Sequence, residues 1–207
     1  MGSSWFFKYR HSFWIGGEMA DYSELIQKRR STREFEDKKV SLEVIEEIIE
    51  ESTLAPSSGN GQPWKFIIIE DPSWIKKLTD ESKKNLLNNL EKNPDFPAKK
   101  YEVALRNPDF NVYYNAPFLV YIAGSKEIGT IYVDCALCAS YFMLSAASRG
   151  LGTCWIGLGQ HIRDSELRKA IGLPEDYVIV APIVVGYPKS IPNIPERAKP
   201  QILKILS

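Results

Sequence analysis

The chain reads as one α+β domain, on three observations. Segments with helical apolar spacing alternate with short β-branched runs. One long segment, 129–149, is apolar nearly all round and demands burial on most sides. No internal repeat or linker divides the chain.

The elements follow in order. Residues 21–30 predict a short helix with Tyr22, Leu25 and Ile26 on one face. Ser41 suits the cap of a stronger helix, in which Val44, Ile45, Ile48, Ile49 and the final Leu54 recur at helical spacing. Phe66-Ile67-Ile68-Ile69 is strand-like by β-branching and length. Pro72 can open a helix over 73–90, with Lys76, Lys77, Lys83 and Lys84 as a solvated face. Residues 93–115, rich in Asn, Asp, Pro and aromatics, predict a mobile excursion or short helices of the kind that form a substrate lid. Residues 117–123 are a second strand, and the apolar helix 129–149 stops at Gly150-Leu151-Gly152. Residues 153–157 form a short strand or extended turn. Asp164 or Ser165 caps a helix through Ala170, and 177–185 is a strand buried on both faces. A Pro-rich tail closes the chain, carrying Arg197, Lys199 and the apolar Ile202, Leu203, Ile205 and Leu206.

Residues 1–18 break the pattern. Trp5, Phe6, Phe7, Tyr9, Phe13 and Trp14 crowd together without periodicity, and no aliphatic core or small-residue cleavage site marks a signal peptide. Gly16-Gly17-Glu18 ahead of Met19 is what a purine-rich ribosome-binding sequence would encode if translated. Residues 1–18 are therefore expected to be a non-native or disordered extension, and 19–207 the domain.

Composition limits the function classes. With 207 residues, 44% hydrophobic and 25% charged, the chain has the make-up of a globular protein with a sizeable core. Lys+Arg and Asp+Glu each count 26, so no net charge draws it to nucleic acid or anionic membrane. No wholly apolar run approaches the roughly 20 residues of a membrane helix. Cys135 and Cys138 have redox or metal spacing, but they lie in the apolar helix and no second pair completes a zinc site. Together with Cys154 they read as small buried thiols, which fits a reducing cytoplasm.

Three clusters point to a bound anion with a planar group attached. Arg29-Arg30-Ser31-Thr32-Arg33 gathers three guanidinium groups and two hydroxyls, the donors that grip phosphate oxygens. The loop Ala55-Pro56-Ser57-Ser58-Gly59-Asn60-Gly61-Gln62-Pro63-Trp64 holds hydroxyl and amide groups on a backbone stiffened by Pro and turned by Gly. Trp155-Ile156-Gly157-Leu158-Gly159 offers backbone N–H groups where a flat ring can approach closely. The glycine spacing is not that of a dinucleotide fingerprint. Arg197 and Lys199 form a second basic pair at the far end.

In this order the motifs resemble the nitroreductase family of flavin-binding oxidoreductases. The resemblance runs from about Asp21 to the end. It rests on Arg-Arg-Ser-x-Arg, Pro-Ser-Ser-x-Asn-x-Gln-Pro-Trp, Asn115-Ala116-Pro117, the helix with Asp134, Gly150-Leu-Gly-Thr-x-Trp-Ile-Gly157 and Gly186-Tyr187-Pro188. It implies a central, mostly antiparallel sheet flanked by helices. It also implies an intertwined homodimer with swapped terminal segments and FMN at each subunit interface. By the same resemblance Arg29 and Ser31, with Arg30 beside them, match positions that hold the FMN phosphate and ribityl chain. Arg33 matches the cation beside flavin N1 and O2. Pro56, Ser57, Ser58 and Asn60 match a loop that reaches the flavin of the partner subunit. Trp155, Ile156 and Gly157 match the segment facing N5 and O4, and Arg197 and Lys199 the C-terminal phosphate clamp. The chain departs from the family in mid-sequence, where a basic residue is often found; Asn111 and Asn115 are the nearest candidates and are uncharged.

The activity so implied is hydride transfer from NADH or NADPH, through FMN, to an electron-poor acceptor (nitroaromatic, quinone or enone) by a ping-pong cycle. No nucleophile–base pair or metal constellation competes with it. The alternatives are a flavin-fragmenting or dehalogenating enzyme, a non-catalytic flavin store or redox sensor, and a phosphate-binding structural module. His161, which follows the glycine pair, has two readings, a neighbour of the flavin or a capped surface histidine, of which the second is preferred.

Overall fold

The computed structural model of the chain describes residues 22–206. The expected extension at 1–18 lies outside the described residues. The order is α1 (Tyr22–Lys28), α2 (Leu42–Ser52), β1 (Lys65–Ile69), α3 (Pro72–Lys92), α4 (Glu102–Arg106), β2 (Phe118–Ser125), α5 (Ile131–Ser148), β3 (Gly152–Trp155), α6 (Ser165–Ala170) and β4 (Tyr177–Gly186), with 3-10 turns at Ser58–Asn60, Pro97–Tyr101 and Gly157–Gln160.

The strands form one four-stranded sheet in the order β1-β2-β4-β3, every pairing antiparallel. Its centre is β2 and β4, apolar almost without interruption because helices cover both faces. Alternation divides the core between them. Phe118, Val120 and Ile122 join Ile45, Ile48 and Phe142 on the side of α2 and α5, while Leu119, Tyr121 and Ala123 join Ile75, Leu78 and Tyr113 on the side of α3. Full burial of each such side chain stabilises the fold by roughly 1.5–3 kcal/mol.

Local signals set the helix starts. Ser41 Oγ accepts the N–H of Val44 at 3.4 Å, and Asp71 accepts that of Ser73 at 2.7 Å ahead of Pro72. Asp164, rather than Ser165, caps α6 by accepting the N–H of Leu167 at 2.8 Å. Leu54 lies beyond α2 and is exposed.

Three expectations change. Lys83 is not on a solvated face: it is buried, and its ammonium donates to the carbonyls of Asn107 at 2.6 Å and Phe110 at 3.2 Å. Segment 93–115 narrows to one of its two expected forms, short helices at Pro97–Tyr101 and Glu102–Arg106, with Leu105, Val112 and Tyr113 in the core. Helix α5 buries only part of its surface. Its 18 residues are long and apolar enough to cross a membrane by composition, yet they pack on the sheet and on α2, leaving Tyr132 (59%), Val133 (62%), Leu137 and Tyr141 exposed.

Candidate functional site

The arginine cluster is aligned by the sheet edge. After α1 the chain runs beside β3: Ser31 bridges Thr153, and the N–H of Thr32 donates to Thr153 O at 2.9 Å. Thr32 is buried so closely on β3 that a Cβ at Gly152 would stand 2.5 Å from its hydroxyl oxygen, so only glycine fits there. In extended chain, alternate residues share a side. Arg29, Ser31 and Arg33 accordingly all act on the Cys154 thiol. Burial raises that thiol, while Arg33, a hydrogen bond from Ser31, and Arg29 oppose the rise.

Arg29 lies in an electropositive nest. Burial depresses its guanidinium first, then the like charges of Arg30 and Arg197, with Cys154 opposing; Glu24, which lines the same cavity, is paired with Lys28 at 2.5 Å. Arg197 thus arrives from the tail, across most of the sequence, to within electrostatic reach of Arg29. Arg29 and Arg30 also line a cavity of about 290 Å³ between α1, the end of α5, and Pro188 and Ile191 of the tail. Lys199 is exposed.

A second cavity, of about 310 Å³, lies on the other flank of the cluster. Arg33, Cys154, Trp155, Ile156 and Gly157 line one wall; Phe96, Pro97, Ala98, Lys100 and Tyr101 of the lid segment line the other. Ile156 enters this wall because β3 ends at Trp155. Its N–H donates to Pro182 O at 2.7 Å, on the edge where Pro182 has no N–H of its own to pair. The following turn is pinned from below. Tyr113 OH donates to Gly159 O at 3.0 Å, and a Cβ on Gly159 would stand 2.4 Å from the Tyr113 ring. Residues of α3 hold what comes next: the Ser82 hydroxyl donates to Leu158 O, Asn85 Nδ2 to His161 O at 2.8 Å, and Glu81 Oε1 accepts the N–H of Asp164 at 2.9 Å.

His161 is therefore a wall residue and not a surface one. It lines the cavity, half-buried, 6.2 Å edge-on from Phe96, and burial followed by Arg163 pushes its imidazole below 6.5. Asn111 Nδ2 donates to Asn115 Oδ1 at 2.8 Å, and Asn111 Oδ1 accepts the hydroxyl of Thr79 on α3 at 2.9 Å.

The loop 55–62 stands apart. Ser57 Oγ accepts the N–H of Gln62 at 3.0 Å, and Gly59, Asn60 and Gln62 all have positive φ (55°, 56° and 45°), a strained backbone held by its surroundings. Pro56, Ser57, Ser58 and Asn60 line neither cavity. Arg33, Trp155, Ile156 and Gly157 meet at one cavity and Arg29 and Arg30 at the other, with Arg197 in electrostatic reach of Arg29 and Ser31 bonded to the Cys154 thiol between them; the 56–60 loop lines neither cavity.

The profile of the family described as "Nitroreductase family" matches residues 26–187. The chain belongs to the nitroreductase family. A putative NADH dehydrogenase/NAD(P)H nitroreductase of Archaeoglobus fulgidus is 30% identical over 173 residues, spanning 83% of this chain and 87% of that protein. Iodotyrosine deiodinase 1 of Mus musculus is 27% identical over 199 residues, 88% of this chain and 68% of that protein. The crystal structure of a nitroreductase with bound FMN from Bacteroides fragilis superposes with a TM-score of 0.74 at 21% identity, covering 89% of this chain and 97% of that one.

Within this nitroreductase fold the cavity adds residues that motif reading missed: Lys100, Tyr101, Phe96, Tyr114 and Cys154. Cys154 is adjacent to Trp155 and alternate to Ile156 in a site segment. Composition marked 93–115 as a candidate lid, but nothing local singled out Phe96, Lys100, Tyr101 or Tyr114 within it.

Proposed function

We propose that this chain is an FMN-dependent oxidoreductase that carries hydride from NADH or NADPH to an electron-poor acceptor and works as a homodimer. The observation that carries this reading is the meeting of Arg29 and Arg197, two like charges from opposite ends of the chain beside Arg30, with no carboxylate among the groups that shift Arg29. Such a cluster repels itself unless an anion joins it, and the dianionic phosphate of a mononucleotide has the charge and oxygens to do so. The donor set therefore fits FMN.

When bound, FMN supplies the hydride relay between the two substrates. The chain's own part is to bind and to tune. Arg29, Arg30 and Arg197 hold the phosphate, with Lys199 nearby in sequence on the tail, and Ser31 adds a hydroxyl. Arg33, on the cavity wall, gives a fixed cation where negative charge accumulates. Trp155, Ile156 and Gly157 lend backbone to the flat face. The lid walls of Phe96, Pro97 and Tyr101 exclude water from the reacting space.

The dimer is supported by apolar surface. Tyr132, Val133, Leu137 and Tyr141 on α5, Leu54 beside α2, and Ile202, Leu203, Ile205 and Leu206 on the tail are all exposed in one chain. A second subunit would cover them and would bring Pro56, Ser57, Ser58 and Asn60 to the site from which they stand apart here. Reductive dehalogenation is the second reading, favoured by the likeness to iodotyrosine deiodinase over most of the chain. Purified protein should be yellow and bleach on adding NADH or NADPH; a colourless protein that takes up no added FMN would end the proposal.

A further inference from the structure

The cavity carries a charge asymmetry that hydride transfer does not require. Its ionisable lining consists of Arg33, Lys100, Tyr101, Tyr114, Cys154 and His161; among the described residues no Asp or Glu lines it. Arg33 is engaged with Tyr114, its guanidinium carbon 5.8 Å from the ring centroid. Lys100 enters from the opposite wall, on the short turn Pro97–Tyr101.

The neighbouring Lys99 is ion-paired, and Lys100, exposed to solvent, is not. Lys99 pairs with Glu102 at 2.6 Å, and Arg106 takes the other oxygen of that carboxylate at 2.8 Å. Among the described residues Lys100 makes no ion pair. Its ammonium stands 5.1 Å from the centroid of the Tyr101 ring, against the aromatic wall. An uncompensated ammonium at the rim of an aromatic, acid-free cavity is one half of a salt bridge.

Resting on the flavin reading above, we propose that the cavity selects a planar aromatic acceptor bearing a carboxylate, and that Lys100 is its ionic partner. Phe96, Tyr101 and Trp155 provide the surfaces for a ring. Lys100 provides the cation at the rim. A free amino acid is the wrong ligand, because among the described residues no acidic side chain lines the cavity to meet its ammonium, and burying that charge unpaired is costly.

Three acceptors share one reducible group and differ in charge: 4-nitrobenzoate, 4-nitrobenzyl alcohol and 4-nitro-L-phenylalanine. With FMN-loaded protein, kcat/KM should be highest for the benzoate. Lys100→Met should cut the benzoate-to-alcohol ratio about tenfold, chiefly through KM, as expected for one charge-assisted contact at a partly exposed site. Lys100→Arg should keep most of the ratio, and Lys99→Met should leave it alone. Calorimetry with benzoate, which is not reduced, should give a Kd raised about tenfold by Lys100→Met. An unchanged ratio in Lys100→Met, an equal fall in Lys99→Met, or preference for 4-nitro-L-phenylalanine overturns the inference. So does an effect of Lys100→Met confined to the KM of NADPH. Protein that binds no FMN defeats both readings, whereas ready reduction of the alcohol with an unaltered ratio defeats this one alone.

Discussion

Asp134 Oδ1 accepts the backbone N–H of Ser58 at 3.0 Å, while its Oδ2 accepts the Thr130 hydroxyl at 2.8 Å. One buried carboxylate in the first turn of α5 thus ties the strained loop 55–62 to the longest core helix. The helix N-terminus favours its charge. Asp134→Ala leaves the Ser58 N–H without this partner, and should lower the unfolding free energy in urea by about 1–3 kcal/mol. Asp134→Asn keeps an acceptor and should cost less. Equal stability of the alanine variant and the parent would show that the loop is held by other means.

Lys83 should prove to be the peg of the lid. Its ammonium donates to the carbonyls of Asn107 and Phe110, so Lys83→Met strips two acceptors of a charged donor. The expected cost is about 1–3 kcal/mol, concentrated locally. Hydrogen exchange should quicken at 105–113 far more than in β2 or β4. Uniform quickening across the sheet would argue against a local peg.

His161 gives a pH signature. Its imidazole protonates near 6.5 when unfolded and only at lower pH when folded, because burial and then Arg163 disfavour the cation. Between those two values the unfolded chain binds more protons, so stability is unaffected above 6.5 and erodes as pH falls through that window. His161→Gln should remove this component, and its stability relative to the parent should improve steadily below pH 6.5. A difference that stays constant from about pH 7.5 to about pH 5, roughly one unit above and one and a half units below the ordinary value, would contradict the burial of the ring.

Much of this architecture was legible because local chemistry and tertiary demand agree. Ser41 caps α2, Pro72 opens α3, and 177–185 is as buried on both faces as its composition predicts. Arg33 and the Trp155–Gly157 segment line one cavity, whereas Arg29 and Arg30 line the other. The misses come from tertiary path. Lys83 resembles its solvated neighbours by sequence, and the carbonyls that bury it lie 24 and 27 residues downstream. His161 looked exposed because the residues that hold its loop, Ser82 and Asn85, come from α3. Composition around α5 demanded cover on most sides, but a single chain covers it with the sheet, α2 and α1 and leaves Tyr132, Val133, Leu137 and Tyr141 exposed. Lys100 and Tyr101 carry no motif; only the fold of 93–115 turns them toward Trp155.

The central claim is that Arg29 and Arg197 close on one phosphate, and comparing FMN with riboflavin tests it directly. The two ligands differ only in that group. Parent protein should bind FMN about a hundredfold more tightly than riboflavin, the worth of two charge-assisted contacts. Arg29→Ala and Arg197→Ala together should erase most of that preference while leaving riboflavin affinity close to the parent's. Equal binding of the two ligands by the parent, or a preference that survives in the double variant, would contradict the account.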